Sequence, residues 1–250
     1  MIIGISGKIN SGKDTVGKIV KLIRLLNKAD TKELLMEYEH FERNNLWDVV
    51  KGPSSFEIKK FADKLKDMVC ILLNCTREQL EDREFKEKEL GEEWWKWHIT
   101  FEGNHEGYID YKGNENHYEE QDMIDSHLIK LTPRLLLQLM GTECGRQIIH
   151  PNIWVNALMS EYKIIENYNT IYPNWIITDV RFPNEFRSIK NKGGITIRVN
   201  RPNLPESFHL SEISLNSAEF DYTIDNNGNI EELIEKIKNL KIWEDIMTEI

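Results

Sequence analysis

The chain has 250 residues, a formal net charge of −10 and an apolar fraction of 40% that includes seven tryptophans. That length accommodates one α/β domain with an insertion, and the apolar content suffices for a sizeable core. The acidic balance argues against a general affinity for nucleic acid, because polymer phosphates would be repelled over most of the surface, so any phosphate site has to be a local basic pocket.

Cys70, Cys75 and Cys144 lack metal-ligand spacing, and an odd count argues against a disulfide framework, so a reducing, cytoplasmic compartment is expected. No apolar run is long enough to span a bilayer, and the first residues read as a core strand rather than a signal peptide. That N-terminal stretch organises the rest. The apolar run Ile2, Ile3 and Ile5 has the length of a buried strand, breaks at Gly7, and gives way to a helical pattern near Asp14. Gly7 and Gly12-Lys13 have the spacing G-x-x-x-x-G-K of a phosphate-binding loop. Glycines let the backbone curl so that successive N–H groups face phosphate oxygens, the helix offers its positive end, and the lysine reaches the β- and γ-phosphates. Gly7, Lys8, Asn10, Ser11, Gly12, Lys13, Asp14 and Thr15 are therefore the candidate nucleotide-binding set. Asp14 stands where Ser or Thr usually holds Mg²⁺, and Thr15 follows one place later. The alternative, a glycine-rich turn with a chance lysine, fits the flanking strand and helix patterns less well.

The first helix is expected over about Asp14 to Asn27, with Val16, Ile19, Val20, Ile23 and Leu26 at helical spacing. A polar, Trp-punctuated connection through Gly52-Pro53 leads to a strand at Phe56–Phe61. Leu65, Met68, Val69, Leu72 and Leu73 then give an amphipathic helix, and Thr76 reads as the N-cap of a short helix over Arg77–Asp82. Residues from about 82 to 130 are strongly charged, carry Trp94-Trp95-Lys96-Trp97, and show turn signals near Gly103 and Gly113 with a small hairpin between them. The aromatic cluster is open to two readings, a stacking platform for bases or the private core of an inserted subdomain.

Thr132 caps and Pro133 starts another helix, with Leu135, Leu136, Leu139 and Met140 facing the core and Gly141 as the stop. A helix is expected over about Asn152 to Ile164, a strand at Trp175–Thr178, and a short helix from DVRFPNE to Asn191. Gly193-Gly194 turns into a strand at Ile195–Val199. Tyr222–Ile224 reads as a last strand, Asn226-Asn227-Gly228 as a turn, and Ile230–Leu240 as the closing helix. This order implies an α/β fold, a five-stranded, mostly parallel sheet with helices on both faces and an inserted helical and hairpin subdomain within a single domain.

Ligands of such sheets collect at the carboxyl ends of the strands. There the sequence places the phosphate loop, the lysine-dense run Lys59–Lys66, Asp179-Val180-Arg181, and Arg198 with Arg201, a concentration of bases that suits an anion pocket in an acidic protein. Asp179 ends an apolar strand, where it could hold Mg²⁺ directly or through water, or cap the next helix. Arg134 and Gln138 share one helix face; the guanidinium suits a phosphate and the amide suits a base edge, although two solvated polar residues would look the same.

In series, GKINSGKDT, FADKLK, EDREFK, TPRLLLQLMGTECGR, ITDVRFPNE and HLSE resemble the deoxynucleoside monophosphate kinases of tailed bacteriophages, within the P-loop kinase group that includes adenylate and guanylate kinases. The resemblance covers most of the chain, with Glu92–Ser126 and the C-terminal tail adding little. It implies a three-layer P-loop kinase fold and ATP-dependent transfer of the γ-phosphoryl group to a deoxynucleoside 5′-monophosphate in the host cytoplasm. By matching position, Lys13 and the loop amides would hold ATP, and Thr15 would lie near Mg²⁺. Asp63, Lys64 and Lys66 resemble the acceptor-side motif, and Arg134, Gln138 and Thr142 resemble residues that orient the acceptor. Arg181 would bridge acceptor and transferred phosphates, and Asp179 would position Mg²⁺ or its waters. Lys13, Asp179 and Arg181 form the expected catalytic set; His209, Ser211 and Glu212 match a motif with no assigned role. Neither a nucleic acid polymer nor a membrane is expected as partner, and a homodimer is allowed for. Because water must be excluded, a closing flap is expected from the 82–130 stretch or the Arg201–Ser211 loop. Two other readings stay open: a P-loop kinase for another phosphorylated metabolite such as phosphomevalonate, and a nucleotide-binding regulator without turnover.

Overall fold

A computed structural model describes residues 1–27, 29–49, 55–101, 105–110, 123–166, 169–204 and 213–243. The chain opens with β1 (Ile2–Gly7), α1 (Lys13–Leu26), α2 (Thr31–Asn44) and β2 (Glu57–Lys59). Three helices follow, α3 (Asp63–Leu73), α4 (Arg77–Glu81) and α5 (Arg83–Glu87), and then strands β3 (Lys96–Phe101), β4 (His105–Asp110) and β5 (Met123–Ile129). Next come α6 (Pro133–Gln138), a π-helical segment (Leu139–Ile149), α7 (Ile153–Met159) and the short antiparallel pair β6 (Ile164–Glu166) and β7 (Asn169–Ile171). The last elements are β8 (Trp175–Ile177), α8 (Pro183–Lys190), β9 (Ile195–Asn200), β10 (Tyr222–Asp225) and α9 (Ile230–Lys238). They form two compact units, Met1–Ala62 with Trp154–Ile250, and Asp63–Ile153.

The first unit carries a five-stranded sheet in the order β10-β9-β1-β8-β2, and every pairing in it is parallel. Strand alternation explains how helices cover both of its faces. Ile3 and Ile5 join Val16, Ile19 and Val20 of α1, Leu34 and Phe41 of α2, and Leu233, Ile234 and Ile237 of α9 in one buried cluster. Gly4, between them, faces the opposite way: a Cβ there would stand 2.5 Å from Ile189 Cδ1 of α8. With β1 in the middle, the strand order reverses beside it, so the loop after β1 lies at the switch point of the sheet, where ligands of such folds collect.

Residues 31–44 were expected as connection and form α2. Asp30 caps it by accepting from the Glu33 amide at 2.9 Å. Leu34, Tyr38 and Phe41 recur at helical spacing, and the Phe41 and Trp47 rings meet at 5.1 Å between centroids. Burying each large apolar side chain contributes about 1.5–3 kcal/mol, so this narrow stripe outweighs the polar majority of the helix. The helix expected to reach Ile164 ends at Met159. Its last turn tightens, with the Tyr162 amide on the Met159 carbonyl, and Tyr162 is drawn onto Trp175 of the sheet at 4.9 Å between ring centroids.

In the second unit Thr76 forms a full capping box with Gln79 at the start of α4, as its position suggested. The expected hairpin is present as β3 and β4, with β5 pairing on the other side of β3; the expected turns at Gly103 and Gly113 lie outside the described residues. The Trp95 indole N–H donates to the Leu90 carbonyl at 2.9 Å, and the Lys130 ammonium covers its ring at 4.4 Å, which suits a private core. Gly141 does not stop a helix. It is buried inside the π-helical segment, where a Cβ would meet Leu65 Cδ2 at 2.8 Å, so close packing on α3 accounts for the glycine. The compact unit extends beyond the 82–130 stretch on both sides because α3 and α6 pack together.

A close approach of α1 to the sheet is testable. A Cβ on Gly17 of α1 would lie 2.6 Å from Thr178 Cγ2 and 3.2 Å from Ile176 Cγ2. Gly17→Val is expected to lower stability by about 1–3 kcal/mol through overpacking, read from the urea midpoint. An unchanged midpoint would show that α1 is not held this tightly against β8.

Candidate active site

The loop after β1 is closed by its own polar groups. The Ser11 amide donates to the Lys8 carbonyl at 3.1 Å, and the Lys13 ammonium reaches that same oxygen at 3.3 Å. Two left-handed residues, Asn10 with φ 63° and Gly12 with φ 91°, make the curl. Ser11 and Lys13 are buried, and Asn10 is exposed. The 14-residue α1 begins at Lys13, so its positive end faces the loop. Asn226, after β10, donates from Nδ2 to the Ser11 carbonyl at 2.9 Å.

The neighbouring strand ends bring carboxylates and cations together. Asp14, in the first turn of α1, accepts from the Thr178 hydroxyl at 2.7 Å and pairs with Lys60 at 3.0 Å, joining α1 to the ends of β8 and β2. Burial opposes its ionisation, but Lys60, Thr178 and Lys13 outweigh that and hold the carboxyl below its usual range. Asp179 accepts the Phe61 amide on Oδ1 at 2.8 Å and the Ala62 amide on Oδ2 at 3.0 Å. Glu185, buried in the first turn of α8, accepts the amides of Arg181 and Phe182 on one oxygen at 2.8 and 3.0 Å, which fixes the backbone that carries Arg181. Arg198 donates to Ser6 at 3.2 Å on the adjacent strand. Burial and the neighbouring Glu42 raise the pKa of the Tyr38 hydroxyl of α2.

The first unit thus gathers Gly7, Lys8, Asn10, Ser11, Gly12, Lys13, Asp14, Thr15, Asp179 and Arg181 along the carboxyl edge of its sheet. The second unit holds the residues matched to the acceptor side. Arg77 of α4 donates to the Asp63 carboxylate at 2.9 Å and to Asp67 at 3.0 Å. Lys66 pairs with Glu81, which Lys86 also reaches at 3.2 Å, and Arg134 of α6 pairs with Glu87 of α5. Lys64 and Gln138 are exposed, and Thr142 lies in the π-helical segment. The expected motif residues His209, Ser211 and Glu212 lie outside the described residues. Thr178, Glu185 and Asn226 were missed as site residues. Glu185, three places after the backbone it satisfies, had the spacing of a first-turn acceptor; Thr178 and Asn226 had no local signal.

A sequence model of the family described as deoxynucleotide monophosphate kinase matches residues 56–237, well over half of the chain. The chain belongs to the deoxynucleotide monophosphate kinase family. The phosphate loop precedes the matched stretch. Individual relatives agree: the chain is 32% identical over 128 residues to the deoxynucleotide monophosphate kinase proposed for Acanthamoeba polyphaga mimivirus, 28% over 204 residues to the deoxynucleoside-5′-monophosphate kinase of Escherichia phage T5, and 29% over 119 residues to the deoxynucleotide monophosphate kinase of Enterobacteria phage T4. These matches use 48%, 74% and 47% of this chain and span 66%, 70% and 48% of the respective relatives, so the chain corresponds to between about half and about two thirds of their length. Among the described residues of this family member, no helix is long and apolar enough to cross a membrane.

Two properties of the site can be measured. Asp179→Asn keeps the side chain's shape but turns an N–H donor toward a backbone N–H, so a loss of about 1–3 kcal/mol is expected in urea unfolding. An unaltered midpoint would mean that the two amides do not depend on the carboxylate. Glu81 tests the second unit. Burial raises its pKa, but Lys66 and Lys86 more than offset this and lower it from 4.5 to about 2. A depressed carboxylate stabilises the fold above its unfolded pKa, and the contribution disappears as pH falls through the folded one. The wild type should therefore lose stability between about pH 4.5 and about pH 2 more steeply than Glu81→Gln, by an amount that solvent screening keeps modest. Parallel pH profiles of the two proteins would exclude the carboxylate from this role.

Proposed function

We propose that this chain transfers the γ-phosphoryl group of ATP to a deoxynucleoside 5′-monophosphate. The observation that carries the reading is the carboxyl edge of the parallel sheet, where the loop of Gly7–Lys13, the carboxylates of Asp14 and Asp179 and the backbone of Arg181 meet in a family of deoxynucleotide monophosphate kinases. Phosphoryl transfer asks for in-line positioning and for positive charge on the equatorial oxygens rather than for a covalent nucleophile. The loop amides and Lys13 hold the ATP phosphates, and Arg181 bridges the transferred and acceptor phosphates. Asp63, Lys64, Lys66, Arg134, Gln138 and Thr142 serve the acceptor. A monophosphate is already a good nucleophile, so no strong general base is required. The family makes a metabolite such as phosphomevalonate a poorer candidate for the acceptor.

The donor set also fits Mg²⁺. Such ions are usually bound by one or two carboxylates together with substrate phosphates and water, and no three-ligand cluster is needed. Among the described residues there is indeed no group of three acidic, histidine or cysteine side chains that would cage a metal alone. Asp14 and Asp179 supply the carboxylates, reaching the ion directly or through water, and Thr15 stands beside them in the first turn of α1. A bound Mg²⁺ supplies neutralising charge on the phosphate oxygens. The partners in this reading are small molecules, and a phage-type enzyme of this kind works in the host cytoplasm.

The cation pairs of the second unit add a condition. Lys66 and Arg134 are each held by a glutamate, so an acceptor phosphate enters by exchanging places with a carboxylate. A panel of deoxy- and ribonucleoside monophosphates with coupled detection of ADP tests the reading, which fails if no monophosphate exceeds the buffer rate. In the same assay Lys13→Ala should reduce turnover about a hundredfold or more, with its unfolding profile retained. Turnover near that of the wild type would separate the loop from the chemistry.

A further inference from the structure

Asn226 was read from sequence as part of a surface turn, yet it is 9% exposed and reaches across 215 positions to the phosphate loop. Its side-chain N–H donates to the Ser11 carbonyl at 2.9 Å. It also fills the space beside Gly12: a Cβ on that glycine would stand 2.4 Å from Asn226 Nδ2, at a backbone φ of 91° that favours glycine in any case. Asn226 is itself rigidly delivered. Its amide donates to the Asn200 carbonyl at 2.7 Å, continuing the β9–β10 ladder, and Lys236 of α9 holds the Asp225 carbonyl at 2.7 Å and Asn227 Oδ1 at 2.5 Å.

A peptide unit is planar and trans, so its C=O and N–H point in opposite directions. Holding the Ser11 carbonyl toward Asn226 therefore turns the Gly12 N–H away from it. Ser11 cannot rotate out of this arrangement cheaply, because its own amide is tied to Lys8 and its hydroxyl is wedged against Gly7, where a Cβ would be 2.3 Å from Oγ. We infer that Asn226 is a positioning residue for the donor site: it fixes the Ser11–Gly12 peptide plane so that the Gly12 amide is already aimed at a phosphate of ATP before the nucleotide arrives. The inference rests on the proposed ATP-dependent reaction. It assigns to the end of the last strand a role that neither the loop motif nor the family match specifies. Preorganised donors lose no free energy to reorientation when the ligand binds, which is why a single amide plane matters.

The test compares wild type, Asn226→Ala and Asn226→Asp in two measurements, equilibrium binding of ATP by calorimetry and KM for each substrate. Asn226→Asp preserves the volume but has no N–H to offer, so it reports on the hydrogen bond even where Asn226→Ala does not yield folded protein. The expected result is ATP binding weaker by about tenfold, the factor that corresponds to one misdirected hydrogen bond. KM for the deoxynucleoside monophosphate should stay within about twofold, because the clamp acts on the donor alone. A residue that only supports the fold would lower stability without separating the two substrates. Folded variants with wild-type affinity for ATP would overturn the inference, whereas a wild type that binds no ATP would overturn the donor-site reading on which it rests.

Discussion

The Asp179 carboxylate, at the end of the buried strand β8, accepts two backbone amides from the turn that follows β2. A partly buried carboxylate is costly unless its charge is met, and a turn leaving a sheet edge has amides that nothing in the ladder satisfies. Each need answers the other. The exchange fixes where the chain leaves the sheet at Phe61-Ala62, and it sets Lys60, one residue earlier, against Asp14. Thr178, one residue before Asp179, holds the same carboxylate from the other side. The first turn of α1 is thus tied to the ends of β2 and β8 through groups that are neighbours in sequence. An acidic side chain at position 14 thus has a structural reason, since its charge pairs with the Lys60 ammonium while it accepts from the Thr178 hydroxyl.

The parts of the fold that were legible in the sequence are those whose cause is local. The strand, loop and helix from Ile2 to Leu26, the capping box at Thr76 and the Pro183 start of α8 all announce themselves within a few residues. α2 was harder, because an amphipathic stripe of Leu34, Tyr38 and Phe41 is diluted by charged residues whose exposure is knowable only from what lies beneath. Gly141 shows the same limit. A glycine at the end of an apolar helical pattern reads as a stop, and only the packing of Leu65 reveals that it is a contact. In the site, residue types and loop spacing were legible, but partners were not. Asp14 with Thr178 spans 164 positions and Asn226 with Ser11 spans 215, and a single sequence carries no local trace of either.

In the phosphate loop the Lys13 ammonium reaches the Lys8 carbonyl. In the second unit Lys66, Arg77 and Arg134 lie on carboxylates. In a protein of net charge −10 acids outnumber bases, so carboxylate partners for surface cations are plentiful. The arrangement has a consequence for selectivity. A ligand phosphate that is to replace Glu87 on Arg134 has to be the stronger partner, and a dianionic monophosphate with several acceptor oxygens is stronger than a single carboxylate. A nucleoside without phosphate has nothing to offer in that exchange. If these cations serve the acceptor as proposed, their carboxylate partners would set a threshold for an incoming anion. Under the proposed assignment, the charge of the acceptor phosphate would then matter for entry alongside the shape of the base.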